Sequence, residues 1–230
     1  MGLLATNVLF RDVPEPWQGR IEAGSTIEEP RDGARIFAQG DVPGAVYAVV
    51  GGDGVVRVGS TDRNGKILMV EVFGTGEVFG EIGVLDGGPR TAEAIAQGRV
   101  RLLRIPAQLF LEALDQAPTL GARLCGLFAR RLRRTFGLLQ DATFETLEIR
   151  LARQLIYLSA AGRRTSEGIR VAGRFRQSDL ADLLGATPRS IITILNAWRT
   201  TGLVHYDAAK GWLTITDEQR MKALVETRPD

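Results

Sequence analysis

Between Gly33 and Ile105, hydrophobic residues come in short runs that glycines and polar turn residues interrupt. The runs are ARIFAQG, AVYAVV, GVVRVGS, KILMVEVF and VRLLRIP, with turn signals such as GD, NG and GTGE between them. Evenly spaced short strands of this kind are typical of antiparallel barrels and rolls. This part of the chain therefore predicts a compact antiparallel β-roll.

The pattern becomes helical from Pro118 to Phe144, where no proline follows the first residue. Alternating steps of three and four residues connect Cys125, Phe128, Leu132, Thr135, Leu139 and Ala142. This spacing is typical of the seam of a two-stranded coiled coil and predicts a dimerisation helix. The alternative is an amphipathic helix that packs on its own domain, through a second apolar flank at Leu120, Leu124, Leu127 and Leu138. The RRLRR run, Arg130–Arg134, is expected to face solvent.

The last third of the chain predicts a helix over LEIRLARQLIYLSAAG and then a loop over the polar stretch GRRTSEG. Two further helices are predicted at Gln177–Leu184 and Pro188–Thr200, with a turn at Gly185 and Ala186. Their shared core would consist of Leu180, Leu183, Leu184, Ile191, Ile194, Leu195 and Trp198. This is the spacing of a helix-turn-helix motif. The segment VHYDAAKGWLTITD then predicts two strands around a Lys210–Gly211 turn, which would form a wing.

The helix-turn-helix pattern points to DNA as a ligand. Helical hairpins of other kinds imitate the bare pattern, but the wing after it and the coiled-coil helix before it favour DNA binding. A recognition helix reads base edges with its amino-terminal turns. The predicted DNA contacts are Gln177, Ser178, Thr187, Arg189, Ser190 and Thr193. Arg189 is the first candidate for base contact, because a guanidinium can bond O6 and N7 of guanine together. Gln177 and Ser178, which open the preceding helix, are better placed for backbone phosphate, and Thr187 can cap the recognition helix.

The stretch GEIGVLDGGPRTAEA, Gly80 to Ala94, combines charged residues with a glycine-rich turn. If Gly80 and Glu81 begin a short helical turn, their amides face an anion and Arg90 supplies a matching bidentate charge. The hydroxyl of Thr91 adds a donor, and Glu81 can accept a hydrogen bond from a sugar hydroxyl. The stretch therefore predicts a phosphate and sugar pocket. The alternative is an internal Glu81–Arg90 ion pair that closes the roll.

Composition narrows the class of protein. At 230 residues the chain is long enough for two ordinary domains. It has no apolar run long enough to span a membrane and no secretory segment at its amino terminus, so we expect a cytoplasmic protein. The single cysteine, Cys125, and the single histidine, His205, cannot build a disulfide, a Cys-rich zinc site, an iron–sulfur site or a His-based triad within one chain. Because the predicted pocket offers no nucleophile–base pair either, we do not expect an enzyme or a metal site.

Charge is distributed unevenly along the chain. From residue 147 onward there are 13 Lys and Arg against 9 Asp and Glu, whereas the preceding part has 16 against 18. The carboxyl-terminal third is thus mildly basic, which is weak support for nucleic-acid binding until the charges are shown to share a face.

From about Phe37 to Asp217 the chain resembles the cyclic-AMP receptor and FNR (Crp/Fnr) family of bacterial transcription regulators. The motifs that carry the resemblance are FGEIGVLDGGPRTA, FARRLRRT and GATPRSIITILNAWRTTGLV. The resemblance implies an α+β architecture of three parts. These are a cyclic-nucleotide-binding-type β-roll at residues 1–117, a coiled-coil dimerisation helix at 118–146 and a winged helix-turn-helix at 147–230.

The resemblance also implies roles for the pocket residues. Glu81 would meet the ribose hydroxyl of a cyclic nucleotide, of which cyclic AMP is the first choice, while Arg90 and Thr91 hold the cyclic phosphate. Thr135 matches a family threonine that meets the purine. The small polar residue that follows it in cyclic-AMP-responsive members is here Phe136, which could stack on a base or occupy its space.

The resemblance further implies a homodimer that binds double-stranded DNA and contacts RNA polymerase. The usual Arg-Glu pair at the start of the recognition helix is replaced by Pro188 and Arg189, and the later base-reading arginine is Thr193. We therefore expect an operator that differs from the family consensus. Two alternatives stay open: a regulator of the same architecture that needs no effector, and a nucleotide-binding regulatory subunit whose carboxyl-terminal helices contact protein rather than DNA.

Overall fold

The computed structural model describes residues 2–61, 67–160 and 162–226 of the chain. Residues 2–60 and 71–136 pack into one compact unit, and residues 137–226 belong to a second. The division falls within one long helix. The predicted NG turn at Asn64 and Gly65 lies outside the described residues.

Among the described residues, eight short strands lie between positions 26 and 106. They are β1 Thr26–Glu28, β2 Arg35–Phe37, β3 Ala45–Gly52, β4 Val55–Thr61, β5 Ile67–Phe73, β6 Val78–Phe79, β7 Glu93–Gln97 and β8 Val100–Pro106. They form two four-stranded sheets, in the orders β1-β8-β3-β6 and β2-β7-β4-β5. A long antiparallel ladder pairs β3 with β8, from Ala45 opposite Pro106 to Gly52 opposite Val100. The predicted antiparallel β-roll is confirmed.

Four helices accompany the roll: α1 Glu15–Ala23, α2 Ile82–Asp86, α3 Ala107–Gln116 and α4 Pro118–Phe144. The hydrophobic pattern had indicated only the last of them and had also missed β1, β6 and β7. Helix α3 packs on β3 and β8. One apolar cluster joins this helix to the start of α4 through Phe110, Ala113, Leu120 and Leu124. A second cluster fills the roll with stacked rings, among which Phe79 lies 5.2 Å from Tyr47 and 5.6 Å from Phe73 between centroids.

Helix α4 uses its two predicted apolar flanks differently. Leu120, Leu124 and Leu127 are buried against the core of the first unit, which is the domain contact that the alternative interpretation required. On the predicted seam, Leu132 and Leu139 are each more than half exposed in this single chain, whereas Phe128 packs against the core of the first unit. Dimerisation through that seam stays a prediction.

The second unit contains α5 Leu147–Ala160, α6 Gln177–Leu184, α7 Pro188–Thr200 and α8 Glu218–Glu226. Its four strands, β9 Arg163–Thr165, β10 Gly168–Arg170, β11 Val204–Asp207 and β12 Trp212–Ile215, form one sheet in the order β11-β12-β10-β9. The bounds predicted for α6 and α7 are confirmed, and so are the two wing strands. The helix predicted through Gly162 ends at Ala160, and Ala161 lies outside the described residues.

The loop predicted over GRRTSEG is wrong, because this stretch forms the β9–β10 hairpin. Its polar composition concealed the strands. Ile169 lies opposite Ile215 of β12 and is buried, whereas the arginines of β9 lie exposed on the edge strand of the sheet. A strand with one buried apolar residue shows no alternation that a sequence pattern could detect.

Candidate functional sites: a buried charge pocket and a recognition helix

The pocket predicted from the glycine-rich stretch centres on Glu81, the residue before α2. The residue as a whole is only 1% exposed. One carboxylate oxygen, Oε1, accepts a hydrogen bond of 2.5 Å from the guanidinium of Arg131 on α4. The other oxygen, Oε2, is buried and has no hydrogen-bond partner. Glu81 therefore keeps one free acceptor for a hydroxyl or amide donor of a ligand.

Arg90 is the second buried charge of the pocket, at 5% exposure. Its Nη1 donates to the main-chain carbonyl of Gly80, and its Nη2 donates to that of Ala45 at 2.7 Å. The guanidinium carbon lies 4.1 Å from the ring centroid of Phe37, in a cation–π arrangement. Only Nε, which is buried, has no partner. Both predicted charges of the pocket thus hold one unpartnered polar atom each.

The Glu81–Arg90 ion pair that the alternative interpretation required does not form among the described residues; Glu81 pairs with Arg131 instead. The expectation that the RRLRR run faces solvent is confirmed for Arg130 and Arg133, which are exposed, but is wrong for Arg131 and Arg134. Arg131 pairs with Glu81, and Arg134 pairs with Glu71 of β5 at 2.5 Å, with both partners of the latter pair less than a fifth exposed.

Sequence reasoning missed Arg131 as a pocket residue, although a signal was present. Arg131 and Arg134 follow Leu127 at steps of four and three residues, so they continue the flank that packs on the roll. Arg131 is further fixed by a hydrogen bond to the carbonyl of Val78, and its guanidinium lies 4.9 Å from the ring of Phe73.

The other predicted pocket residues lie at the surface. Thr91 is exposed. Thr135 is exposed and donates its hydroxyl to the carbonyl of Arg131, one turn earlier on α4. Phe136, the next residue, is 58% exposed. The structure therefore brings Arg90 into contact with Gly80, the neighbour of Glu81, whereas Thr135 is connected to Glu81 only through Arg131.

The pocket requires a glycine at position 80. Its φ is +79°, and an added Cβ would lie 2.9 Å from Nη1 of Arg90. We expect Gly80→Ala to lower the free energy of unfolding by more than the ~1–2 kcal/mol that a left-handed backbone costs alanine. Gly87→Ala is the matched control, because Gly87 has φ +73° but nothing within 4 Å of an added Cβ. Urea unfolding measures both; equal losses would contradict the packing argument.

Burial raises the pKa of Glu81, and the opposing charge of Arg131 offsets only part of this effect. Burial likewise raises the pKa of Glu77, which accepts a hydrogen bond of 2.7 Å from the amide of Gly74. A carboxyl group whose pKa is raised in the folded state stabilises the fold in full while the pH is below its ordinary pKa of 4.5. This contribution is lost as the pH rises through the pKa of the folded state.

The free energy of unfolding should therefore fall as the pH rises from 4.5 into the range of the raised pKa values. We expect Glu77→Gln to flatten this slope in denaturant titrations at stepped pH. Glu15→Gln, at an exposed position of α1, should leave it unchanged. A slope that is the same in wild type and Glu77→Gln would contradict the assignment.

The helix-turn-helix motif is assembled by α6 and α7 of the second unit. Gly185 closes α6 in a left-handed conformation, at φ +61°. The side chain of Thr187 then accepts a hydrogen bond of 3.2 Å from the amide of Ser190 and caps α7. One face of α7 is buried through Ile191, Leu195 and Trp198.

The predicted DNA contacts lie on the other side of the motif. Arg189 and Thr193 are exposed on the first two turns of α7, and the Thr193 hydroxyl donates to the carbonyl of Arg189 at 3.0 Å. Thr187 is exposed, while Ser190 is half-buried. Of the two residues that open α6, Ser178 is exposed and Gln177 is half-buried. The structure thus gathers Thr187, Arg189, Ser190 and Thr193 at one end of α7.

A roll with a buried carboxylate and guanidinium, followed in the chain by a winged helix-turn-helix, is the architecture of a class of transcription regulators. The family models agree with this class. Residues 28–117 match the cyclic nucleotide-binding domain, and residues 149–224 match the Crp-like helix-turn-helix domain.

Relatives of known name resemble nearly the whole chain. The cyclic AMP receptor protein of Thermus thermophilus is 31% identical over 194 residues, which cover 84% of this chain and 83% of the relative. A CRP-like cAMP-activated global transcriptional regulator of Mycobacterium tuberculosis is 27% identical and covers 85% of each chain. Among solved structures, FixK2 of Bradyrhizobium japonicum shares the fold with a TM-score of 0.76 at 20% identity, covering 89% of this chain and 99% of the other.

The chain belongs to the Crp/Fnr family of transcription regulators. Family membership makes it a transcription regulator rather than an enzyme. None of the helices within residues 2–61, 67–160 and 162–226 is long and apolar enough to cross a membrane.

Proposed function

We propose that this regulator binds double-stranded DNA sequence-specifically as a homodimer, with α7 as the recognition helix. The observation that carries the proposal is the division of α7 into a buried face of Ile191, Leu195 and Trp198 and an exposed end with Arg189 and Thr193. Two such helices related by a dimer axis would enter successive major grooves about 34 Å apart. Enrichment of one near-palindromic sequence from random duplex DNA tests the proposal.

The dimer would form through the seam side of α4. Of the predicted seam residues, Leu132 is 58% exposed and Leu139 is 60% exposed, seven residues apart along one helix. Apolar side chains at this spacing form the seam of a two-stranded coiled coil when a second copy covers them. In this scheme residues 1–117 sense, residues 118–146 dimerise and residues 147–230 bind DNA.

The effector in this proposal is a cyclic nucleotide, with cyclic AMP as the first choice. A ribose hydroxyl would donate to the free Oε2 of Glu81, while Arg90 and Thr91 face the cyclic phosphate and Thr135 and Phe136 meet the base. The match of residues 28–117 to the cyclic nucleotide-binding domain supports this assignment, as do the relatives whose names state activation by cyclic AMP. An effector can act only through its different affinity for two arrangements of the protein.

A second candidate is a regulator of the same family that needs no effector. One observation favours it: both terminal nitrogens of Arg90 already donate to main-chain carbonyls, and one oxygen of Glu81 is already paired with Arg131. In that case the two buried charges hold the roll together. Under either candidate we propose that the protein works in the cytoplasm and contacts RNA polymerase.

Thermal unfolding with cyclic AMP, cyclic GMP and cyclic di-GMP separates the two candidates. A ligand present at about 100 times its dissociation constant should stabilise the wild type by ~2.7 kcal/mol. We expect Arg90→Ala to lose this gain, and Arg99→Ala, at an exposed arginine of the same unit, to keep it. No shift with any of the three nucleotides would contradict the cyclic-nucleotide proposal and favour the regulator that needs no effector.

A further inference from the structure

One arginine and two carboxylates join α4 to α5 within the second unit. Only Glu145 and Thr146 separate the two helices, and the chain bends at Glu145. Nη1 of Arg153 on α5 donates to the carboxylate of Asp141 on α4, and its Nη2 donates to the carboxylate of Glu145 at 3.0 Å. We refer to Asp141, Glu145 and Arg153 as the corner clasp.

The corner clasp acts where apolar side chains contribute little in the single chain. Phe144, the last residue of α4, is 80% exposed, and Thr146 is exposed. The side chains of Asp141 and Glu145, by contrast, are only 15% and 21% exposed, and that of Arg153 is 36% exposed. Partly buried ion pairs are screened much less by solvent and salt than exposed ones. The angle between α4 and α5 therefore depends on these ion pairs.

Helix α5 is connected in turn to the helix-turn-helix. Oε1 of Glu148 accepts a hydrogen bond of 2.8 Å from the indole nitrogen of Trp198 on α7, and Trp198 is 3% exposed. Nη2 of Arg150 donates to the carbonyl of Leu184, the last residue of α6, at 2.6 Å. Both partners on α5 lie in its first turn. This turn thus holds α6 and α7, and the corner before it is the joint between the helix-turn-helix and the end of α4.

We propose that the corner clasp fixes the separation of the two DNA half-sites that a dimer accepts. This inference rests on the proposed function, in which two copies join through α4 and α7 reads the bases. The direction in which α5 leaves α4 then determines where each recognition helix lies relative to the other. Arg153 is a positioning residue in this scheme, because it acts on the DNA only through the angle between the two helices.

The spacing of the half-sites is a sensitive measure of a rigid corner. One turn of duplex DNA takes about 10–10.5 base pairs over ~34–36 Å, so each inserted base pair moves a half-site by ~3.4 Å and rotates it by ~35°. A rigid dimer cannot follow that displacement, and it loses simultaneous binding of both half-sites. A dimer with a loosened corner can follow it in part.

The test measures affinity for the enriched site and for the same half-sites with one base pair inserted or deleted between them. Wild type should lose about 100-fold in affinity on either altered duplex, because bivalent binding is lost when the geometry prevents it. Arg153→Ala should reduce this loss to about tenfold or less, and so should Asp141→Asn combined with Glu145→Gln. Arg153→Lys should give an intermediate loss, since a compact ammonium lacks the fork that bonds two carboxylates together.

Arg163→Ala is the control, because Arg163 is an exposed arginine of β9, away from the corner clasp. It should keep the spacing preference of wild type. The same loss on altered spacing in wild type, in Arg153→Ala and in the double carboxylate variant would overturn the proposal. A decrease for Arg153→Ala that is equal on all spacings, with tighter binding by the carboxylate variant, would also overturn it and make Arg153 a phosphate contact.

Hydrogen exchange in the free protein tests the clasp without DNA. The amide of Glu145 donates to the carbonyl of Asp141, and that of Arg150 donates to the carbonyl of Thr146, each at 3.0 Å. Arg153→Ala should make these two amides exchange about tenfold faster by local opening of the corner. Unchanged exchange would refute a clasp that holds the corner. Faster exchange, together with failure of wild type to bind any duplex, would instead refute the proposed DNA binding.

Discussion

Arg131→Ala is expected to lower the free energy of unfolding by about 3 kcal/mol, because it leaves the buried carboxylate of Glu81 without its paired charge. The Glu81 side chain is 2% exposed and that of Arg131 is 25% exposed, so solvent can replace little of the missing interaction. The substitution also removes the hydrogen bond to the carbonyl of Val78 and the packing against the ring of Phe73. Chemical denaturation of the purified variant measures the destabilisation.

Arg133→Ala is the matched control for this prediction, since Arg133 is exposed on the same helix two residues away. It should change stability by less than about 0.5 kcal/mol, as surface substitutions usually do. Glu81→Gln combined with Arg131→Ala should recover part of the stability, because the amide removes the unpaired buried charge. If the Arg131 and Arg133 variants were equally stable, Glu81 would not depend on α4.

Arg189→Ala is expected to weaken binding to the preferred DNA site by ~1–3 kcal/mol for each half-site, the usual contribution of a bidentate contact between a guanidinium and guanine. The effect should be confined to sequences with guanine at the contacted position, so the variant should show relaxed preference there. Competition binding against a series of single-base variants of the enriched site measures both the affinity and the preference.

Arg199→Ala, at an exposed arginine in the last turn of α7, tests whether position on the helix matters. A cation at that end should affect all sequences alike if it affects any, because the amino-terminal turns read the bases. A uniform decrease in affinity for Arg189→Ala, with base preference unchanged, would remove Arg189 from base recognition and make it a phosphate contact.

The sequence pattern predicted the elements that have a strong hydrophobic period. The long helix α4, the helix-turn-helix bounds and the wing strands all follow from repeated apolar spacing or from caps such as Thr187 and Gly185. The roll was predicted as a class of fold, but β1, β6 and β7 were missed. Strands β1 and β6 have only three and two residues, too few to show alternation. In β7 the buried positions do alternate, but they are Ala94 and Ala96, which have little β propensity.

The pocket illustrates what spacing within a short motif cannot predict. Gly80, Glu81 and Arg90 were identified together, yet the partner of Glu81 lies 50 residues away on α4. Long-range pairing depends on how α4 packs on the roll. The steps of four and three residues from Leu127 to Arg131 and Arg134 indicate that these arginines share the face of α4 that packs on the roll. A run of four arginines in five residues is, however, typical of a solvent-exposed surface, and this second signal led to the wrong prediction.

Recognition of a specific DNA sequence by a homodimer is the central property proposed for this Crp/Fnr-family regulator. The most direct test is selection of binding sites from random duplex DNA, followed by measurement of the mass of the complex on the enriched site. We expect one near-palindromic sequence, with half-sites separated by about one helical turn, bound by two chains. Retention of all sequences alike, or a complex with a single chain, would contradict this proposal.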